Sequence, residues 1–201
     1  EGYFLLLASP QELTTDADIV QKDVVFVFDT SGSMGEDHKI EQARSALKRC
    51  LGFLNREDRF GIVAFSDAVN PFKNKLIEAS ADNVAEAQRF ADALSAEGGT
   101  NISGALSTGL KMLAESGRPR VIVFMTDGVP TAGETNPERL SEIVKGANGF
   151  GARIFSFGGG SDVNRVVLER LGRENLGSVD YVGEGGNIDT ARAAGAIEAG
   201  G

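Results

Sequence analysis

Oxygen-bearing side chains occur close together in three separated segments of the chain. The segments are Asp29-Thr30-Ser31-Gly32-Ser33, Gly99-Thr100-Asn101 and Thr126-Asp127-Gly128. Mg²⁺ takes hard oxygen ligands in a near-octahedral arrangement and keeps some of its waters, so a few well-placed protein oxygens are enough to bind it. The three segments therefore predict one divalent-cation site, provided that the fold brings them together.

The spacing of the first segment suits such a site. A tight loop can point the Ser31 and Ser33 hydroxyls at a common point, and Gly32 lets the backbone turn without a Cβ clash. Asp29 then supplies negative charge from below. The alternative is an ordinary serine-rich turn in which the hydroxyls only cap backbone groups.

The predicted ligand set is mostly neutral. We predict Ser31, Ser33 and Thr100 as direct ligands, with Asp29 and Asp127 acting on the cation through water. A cation held in this way keeps much of its charge. It would therefore attract an acidic side chain from a partner protein, which could replace one of its waters.

Two of the three segments follow apolar runs that read as buried strands. These runs are 24–28 and 121–125, and Thr100 lies just before a helical pattern at 102–113. Open parallel sheets bind their ligands at the carboxyl edge. We therefore expect the three segments to open onto the same edge of one sheet.

Strand-like and helix-like patterns alternate from Asp23 onward, which predicts an α/β fold with a doubly wound, mostly parallel sheet and helices on both faces. The predicted strands are 24–28, 60–65, a weaker edge strand at 69–76, 121–125, 153–157 and 178–182, and the predicted helices are 39–54, 84–94, 102–114, 137–147, 163–171 and 187–199.

Three helix starts carry capping signals. Asn83 with Glu86 resembles a capping box, Asn136 precedes a proline at the first helical position, and Asp162 precedes the helix at 163–171. Residues 2–8 form a further strand candidate. We predict an N-terminal extension over 1–21, as an edge strand or a remnant of a preceding domain, and one main domain over 22–199.

Composition excludes several classes of function. The 201 residues carry a net charge of -9, which argues against nucleic acid as a partner. The apolar run 3–8 is too short to span a bilayer and lacks the pattern of a signal peptide, so we expect no direct membrane insertion. The single cysteine, Cys50, falls on the apolar stripe of a predicted helix and is interpreted as an inert core thiol.

The motifs resemble those of a known family, the von Willebrand factor A (VWA) domain. The segment 29–34 resembles its metal-ion-dependent adhesion site motif, and Thr100 and the segment 126–128 match the other two parts of that site. The resemblance covers roughly residues 22–182. It implies a Rossmann-like VWA fold, a bound Mg²⁺ (with Mn²⁺ or Ca²⁺ possible) and a role in adhesion or assembly.

Within that family the chain looks like the inter-alpha-trypsin inhibitor heavy-chain type and its bacterial relatives. The segments 2–7, 22–26, 157–158 and 162–164 are similar to that type. This resemblance implies a domain of a longer protein with other domains beside it, commonly a preceding β-rich one. It favours an extracellular or cell-envelope location, although the sequence alone does not fix the compartment.

The predicted function is therefore a metal-dependent protein-binding module, not an enzyme, whose partner presents Asp or Glu. One alternative is a structural VWA scaffold with a vestigial metal site, and another is a metal-dependent hydrolase. The chain has no Gly-x-Ser-x-Gly elbow, no phosphate-binding Gly-x-x-x-x-Gly-Lys-Ser/Thr loop, and a single histidine, His38, which we predict to face solvent.

Two further expectations concern single side chains. Asn101-Ile102-Ser103 matches the acceptor pattern for N-glycosylation, but a glycan beside the metal loop would obstruct docking, so this reading is disfavoured. Asp29→Ala is expected to abolish binding of metal and partner while leaving the fold intact, on the assumption that Asp29 lies in a surface cleft.

Overall fold

A seven-stranded sheet with helices on both faces is the framework of the part of the chain described by the computed structural model, residues 20–159 and 163–182. The strands are β1 Asp23–Asp29, β2 Arg59–Phe65, β3 Val69–Pro71, β4 Ile77–Glu78, β5 Arg120–Thr126, β6 Arg153–Gly159 and β7 Val179–Val182. The helices are α1 Lys39–Gly52, α2 Ala81–Ala93, α3 Ile102–Leu113, α4 Pro137–Ala147 and α5 Arg165–Glu174, and a 3₁₀ turn covers Gly32–Gly35.

The sheet order confirms the predicted doubly wound, mostly parallel architecture. It runs β3-β2-β1-β5-β6-β7, with β4 also paired to β2. β1 is parallel to both of its neighbours, β2 and β5, whereas β3 and β4 are antiparallel to β2. The chain moves from β1 outward to one side first and to the other side later, so the topological switch point lies at the carboxyl end of β1, beside β5.

Both faces of the sheet are buried, which explains why its central strands are apolar at nearly every position. Side chains Val24, Phe26 and Phe28 of β1 pack with α1 and α2 on one face. Val25 and Val27 pack with α3, α4 and α5 on the other. This double covering fixes the register of β1 and therefore the position of the loop that follows it.

The predicted edge strand at 69–76 is wrong in extent, because the structure has two short strands, β3 and β4, in its place. Proline is tolerated only at strand edges and ends, and β3 stops at Pro71. The next side chain, Phe72, packs against Phe90 of α2 with ring centroids 5.1 Å apart. The Phe72 N–H still donates to the Ile62 carbonyl of β2 at 2.9 Å, and strand pairing with β2 resumes only at β4.

One predicted cap is confirmed and one is wrong. Asn136 caps α4, with its side chain accepting a hydrogen bond from the Arg139 N–H at 3.0 Å. α2 begins at Ala81, earlier than predicted, and the Ser80 hydroxyl accepts from the Asn83 N–H. Asn83 and Glu86 therefore do not form the predicted capping box, since Asn83 lies inside the first turn.

The start of α5 also differs from the prediction. The helix begins at Arg165, and Asn164 caps it by accepting from the Val167 N–H at 3.1 Å. Asp162, the predicted cap, lies outside the described residues, as do the strand candidate at 2–8 and the predicted helix at 187–199. The domain boundaries at 21 and 199 stay predictions. Within the described part, no helix is long and apolar enough to cross a membrane.

Cys50 is a buried residue of α1, with no exposed surface. Burial disfavours the thiolate and raises the pKa of the thiol to about 12. We expect the native protein to resist an aromatic disulfide reagent at neutral pH and to react fully once unfolded in urea. Rapid stoichiometric labelling of the native protein would contradict the placement of Cys50 in the core.

Two buried carboxylates at the amino edge of the sheet are each paired with a cation of the protein. Asp23 accepts from the Arg59 guanidinium at 2.8 and 2.6 Å. Asp58 lies 3.3 Å from the Lys22 ammonium and accepts from the Lys22 N–H at 3.0 Å. Buried charge at this edge is thus compensated by fixed side chains.

Candidate metal centre

The three oxygen-bearing segments meet at the carboxyl edge of the sheet, at the switch point. Asp29 ends β1, and Thr126 ends β5 next to it. The Thr126 hydroxyl donates to Asp29 Oδ2 at 2.5 Å, and the Ser33 hydroxyl donates to Asp127 Oδ1 at 2.7 Å. The first and third segments are therefore joined directly by side-chain hydrogen bonds.

The two serine hydroxyls of the first segment lie next to each other. The Oγ atoms of Ser31 and Ser33 are 3.2 Å apart. Neighbouring oxygens around an octahedral Mg²⁺ are about 3 Å apart, because each lies about 2.1 Å from the ion at right angles. The observed separation fits two adjacent ligands of one such ion.

Thr100 faces the same space as Ser33. A Cβ placed on Gly128 would lie 3.6 Å from the Ser33 hydroxyl oxygen and 3.6 Å from Thr100 Oγ1. The two hydroxyls therefore converge on a small volume that the glycine leaves free of side chain. The residues present fit a hard cation, because the donors are hydroxyl oxygens backed by carboxylates and include no sulfur or imidazole.

Backbone hydrogen bonds fix the loop that carries the two serines. The Thr30 N–H and hydroxyl both donate to the Phe65 carbonyl at the end of β2. The Gly32 N–H donates to the Gly98 carbonyl at 3.0 Å, and the Glu97 N–H donates to the Thr30 carbonyl at 2.8 Å. The first segment is thus bonded through its main chain to residues 97–98, which directly precede the second segment.

The loop that carries Thr100 depends on two residues that the sequence reasoning missed. The Asp67 carboxylate accepts from the Gly99 N–H at 2.9 Å, and the Thr131 hydroxyl accepts from the Thr100 N–H at 2.8 Å. Asp67 follows the end of β2, so the rule that pointed to Asp29 and Asp127, an acidic residue after a strand, could have found it. Thr131 carries no comparable signal.

Asn101 has a structural role at the start of α3. Its Oδ1 accepts from the Gly104 N–H at 3.0 Å, and its Nδ2 donates to the Asp67 carbonyl at 3.2 Å. The Nδ2 nitrogen that a glycan would modify is therefore engaged with the Asp67 carbonyl, while Oδ1 caps the helix, and both contacts argue against glycosylation of Asn101. His38 faces solvent as predicted, with its side chain 88% exposed.

Asp29 is fully buried, so the expectation of a surface cleft around it is wrong. Burial raises its pKa to about 6, against the opposing effect of hydrogen bonds from Thr126 and Ser31. Ser31 contributes its N–H, which donates to Asp29 Oδ1 at 2.8 Å. The carboxylate is thus solvated by hydroxyl and amide groups but has no ion-pair partner among the described residues.

Asp127 differs from Asp29 in having a cation beside it. Its Oδ2 accepts from the Lys39 ammonium at 3.0 Å, and its side chain is 2% exposed. Burial lowers the pKa of Lys39, but the hydrogen bond to Asp127 and the charges of Asp127, Glu36 and Asp37 raise it above the ordinary 10.5. Lys39 is therefore charged at neutral pH.

Of the buried carboxylates in the described part of the chain, Asp29 is the one without a cation. Asp23, Asp58 and Asp127 each have a lysine or arginine within hydrogen-bond distance. An isolated buried carboxylate is costly, which favours a nearby cation. Residues 20–159 and 163–182 contain no cluster of three or more acidic, histidine or cysteine side chains, so a cation here would depend on the hydroxyls.

The fold is that of a von Willebrand factor type A domain. The model of that family matches residues 23–191, and the chain belongs to it. It is 39% identical over 184 residues to inter-alpha-trypsin inhibitor heavy chain H4 of Homo sapiens, a match that covers 88% of this chain and 19% of that protein. The chain thus spans about a fifth of the length of this relative.

Solved structures share the fold at lower identity. A von Willebrand factor type A protein from Catenulispora acidiphila superposes with a TM-score of 0.74 at 21% identity, covering 88% of this chain and 40% of that one. The pilus adhesin SpaC from Lactobacillus rhamnosus GG superposes with a TM-score of 0.66 at 20% identity, covering 90% and 30%. Domains of this family commonly bind a divalent metal at an adhesion site.

Proposed function

We propose that this domain binds a divalent cation, most readily Mg²⁺, and uses it to capture an acidic side chain of a partner protein. Ser31, Ser33 and Thr100 would hold the cation, and Asp29 and Asp127 would support it through water. When bound, the cation supplies an electrophilic coordination position for a carboxylate. The function is adhesion or assembly, and Mn²⁺ or Ca²⁺ are the alternative cations.

The observation that carries this proposal is the burial of the Asp29 carboxylate with no lysine or arginine of the described residues beside it. The carboxylate is fully buried and has hydroxyl and amide donors but no cation beside it in the described structure. The other buried carboxylates have such a cation. A divalent ion held by the converging hydroxyls would supply the missing positive charge.

The hydrogen bonds around the site support the proposed division of roles. The Ser33 hydroxyl donates a hydrogen bond to Asp127, and this leaves the lone pairs of the Ser33 oxygen available to a cation. The Thr126 hydroxyl donates a hydrogen bond to Asp29 in the same way and so occupies one oxygen of that carboxylate. The two carboxylates thus orient the surrounding hydroxyl groups and add negative charge to the site, as groups around metal ligands usually do.

A structural scaffold with a vestigial site is the second candidate, and it predicts no metal binding. We propose that the domain is not an enzyme, because the hydroxyls and carboxylates of the site would be engaged around the cation and the described residues place no histidine beside them. The only histidine of the chain, His38, is exposed, and its imidazole has Glu41 as its charged neighbour at 3.9 Å. Residues 22–199 are proposed as the domain, as one part of a longer protein.

Calorimetric titration of chelator-treated protein tests the metal site. We expect saturable binding of one Mg²⁺ per chain, with Mn²⁺ competing for the same site. Selectivity should favour Mg²⁺ and Mn²⁺ over Zn²⁺, because the donors are hard oxygens. Absence of binding at millimolar Mg²⁺, with the protein folded, would favour the vestigial scaffold.

Selection of a random displayed peptide library tests the docking function. Peptides retained in Mg²⁺ and eluted by chelator should be enriched in Asp or Glu, since a carboxylate is the group that completes the coordination. Each enriched peptide should lose binding when its acidic residue becomes Asn or Gln. Peptides that stay bound equally in chelator would contradict a metal-dependent contact.

A further inference from the structure

Lys39 stands next to the proposed metal site but has no part in the ligand set. It is the first residue of α1, and its ammonium lies 3.0 Å from Asp127 Oδ2 and 4.0 Å from Glu36 Oε2. Its side chain is 21% exposed, whereas that of Asp127 is 2% exposed. Lys39 is thus a mostly enclosed cation on the buried carboxylate that the metal site also uses.

The backbone just before Lys39 adopts an unusual conformation. Asp37 and His38 have φ values of 48° and 58°, two consecutive non-glycine residues in the left-handed region. L-residues adopt this region at a cost, and such outliers persist where the surrounding structure requires them. The two residues directly precede α1, whose first residue, Lys39, contacts Asp127.

We infer that Lys39 is a built-in counter-cation of the metal site, which holds Asp127 in the metal-free protein and weakens the affinity of the site for a divalent cation. The inference rests on the proposed function of that site. The inference also has a consequence for the partner. Because Lys39 already neutralises part of the carboxylate charge, the bound cation would attract an incoming acidic group more strongly.

Formal charges make the direction of the effect explicit. Asp29, Asp127 and Lys39 together carry one net negative charge, so a divalent cation gives the site one net positive charge. Without Lys39 the same site would be neutral once loaded. A divalent cation should therefore bind more tightly when a neutral side chain replaces Lys39, while a carboxylate should be attracted less strongly to the loaded site.

Lys39→Met tests the inference by two opposed measurements. Calorimetric affinity for Mg²⁺ should rise about tenfold, because a unit positive charge is removed beside the dication at a partly solvated site. In chelator, the melting temperature should fall by roughly a few degrees, because buried Asp127 loses its partner. A merely structural lysine would instead lower stability and metal affinity together.

Two control variants separate site charge from overall charge. Lys48→Met lies on the same helix and removes the same charge, but its partner is the exposed Asp92 at 2.7 Å. It should leave Mg²⁺ affinity unchanged. Lys39→Arg keeps the charge beside Asp127 and should bind Mg²⁺ within about twofold of the parent, as expected for an effect of charge.

The outcomes distinguish this inference from the proposed function. If the parent binds Mg²⁺ and Lys39→Met binds it equally or more weakly, the counter-cation role is overturned and the metal site stands. An unchanged melting temperature of Lys39→Met in chelator also overturns the role, since Lys39 would not be holding Asp127. If neither protein binds Mg²⁺, both the inference and the proposed function fail.

Discussion

Asp29→Asn is expected to lower the affinity for Mg²⁺ about 100-fold, the upper range for losing a group that supports metal ligands. The amide has nearly the shape of the carboxylate but no charge. Its nitrogen can donate to the Thr126 hydroxyl, which would accept a hydrogen bond in place of donating one. The effect would therefore come from the lost charge and not from a cavity or a broken loop.

The same variant should be at least as stable as the parent when both are measured in chelator. Asp29 is fully buried, and burial penalises its charged form. Replacing the charge by a neutral amide removes that penalty in the absence of a cation. In Asp29→Asn, the free energy of unfolding measured with urea in chelator should therefore stay equal or rise, while the affinity for Mg²⁺ measured by calorimetry should fall.

A matched control is Asp92→Asn, which removes one negative charge from an exposed ion pair with Lys48. Its Mg²⁺ affinity should equal that of the parent. Wild-type Mg²⁺ affinity in Asp29→Asn would contradict the assignment of Asp29. Loss of affinity accompanied by unfolding in chelator would instead assign Asp29 to the architecture of the loop.

Gly99→Ala is expected to weaken Mg²⁺ binding by about tenfold or more through the loop that carries Thr100. A Cβ on Gly99 would lie 2.5 Å from Asp67 Oδ1 and 2.8 Å from Thr131 Oγ1, so both side chains would have to move. These two groups accept the N–H of Gly99 and of Thr100. Displacing them would release the backbone that aims the Thr100 hydroxyl at the site.

Calorimetry with Mg²⁺ checks this expectation, with thermal unfolding as the second measurement. Gly117→Ala is the control, because a Cβ there meets nothing within 4 Å. Thr100→Val would separate the hydroxyl from the loop, since it keeps nearly the same shape but removes the oxygen. Parental affinity in both Gly99→Ala and Thr100→Val would exclude Thr100 as a ligand.

The sheet could be predicted from the sequence because its strands are buried on both faces. Runs such as 24–28 and 121–125 are apolar throughout, and this pattern belongs to central parallel strands. The rule that ligands bind at the carboxyl edge then placed Asp29 and Asp127 at one edge. The predictions that were wrong concerned local features, the edge strand at 69–76 and the capping box at Asn83, because a short strand or a cap depends on a few tertiary contacts.

The electrostatics of the site could not be predicted in the same way. Sequence patterns placed Asp29 at a strand end but did not indicate how deeply it is buried, because depth depends on how the three loops close over it. Lys39 was recognisable as the start of α1, yet its partner Asp127 lies 88 residues further along the chain. Long-range pairs of this kind carry no local signal.

The central position of β1 has a mechanical consequence for the docking function proposed above. The strand begins at Asp23 on one edge of the sheet and ends at Asp29 on the other, about 20 Å away for a strand of this length. Tension that enters before Asp23 and leaves through a docked partner would run along this strand. Because β1 is bonded on both sides, to β2 and β5, its hydrogen bonds would be loaded in shear and together, so the sheet would resist a pulling force along its whole length.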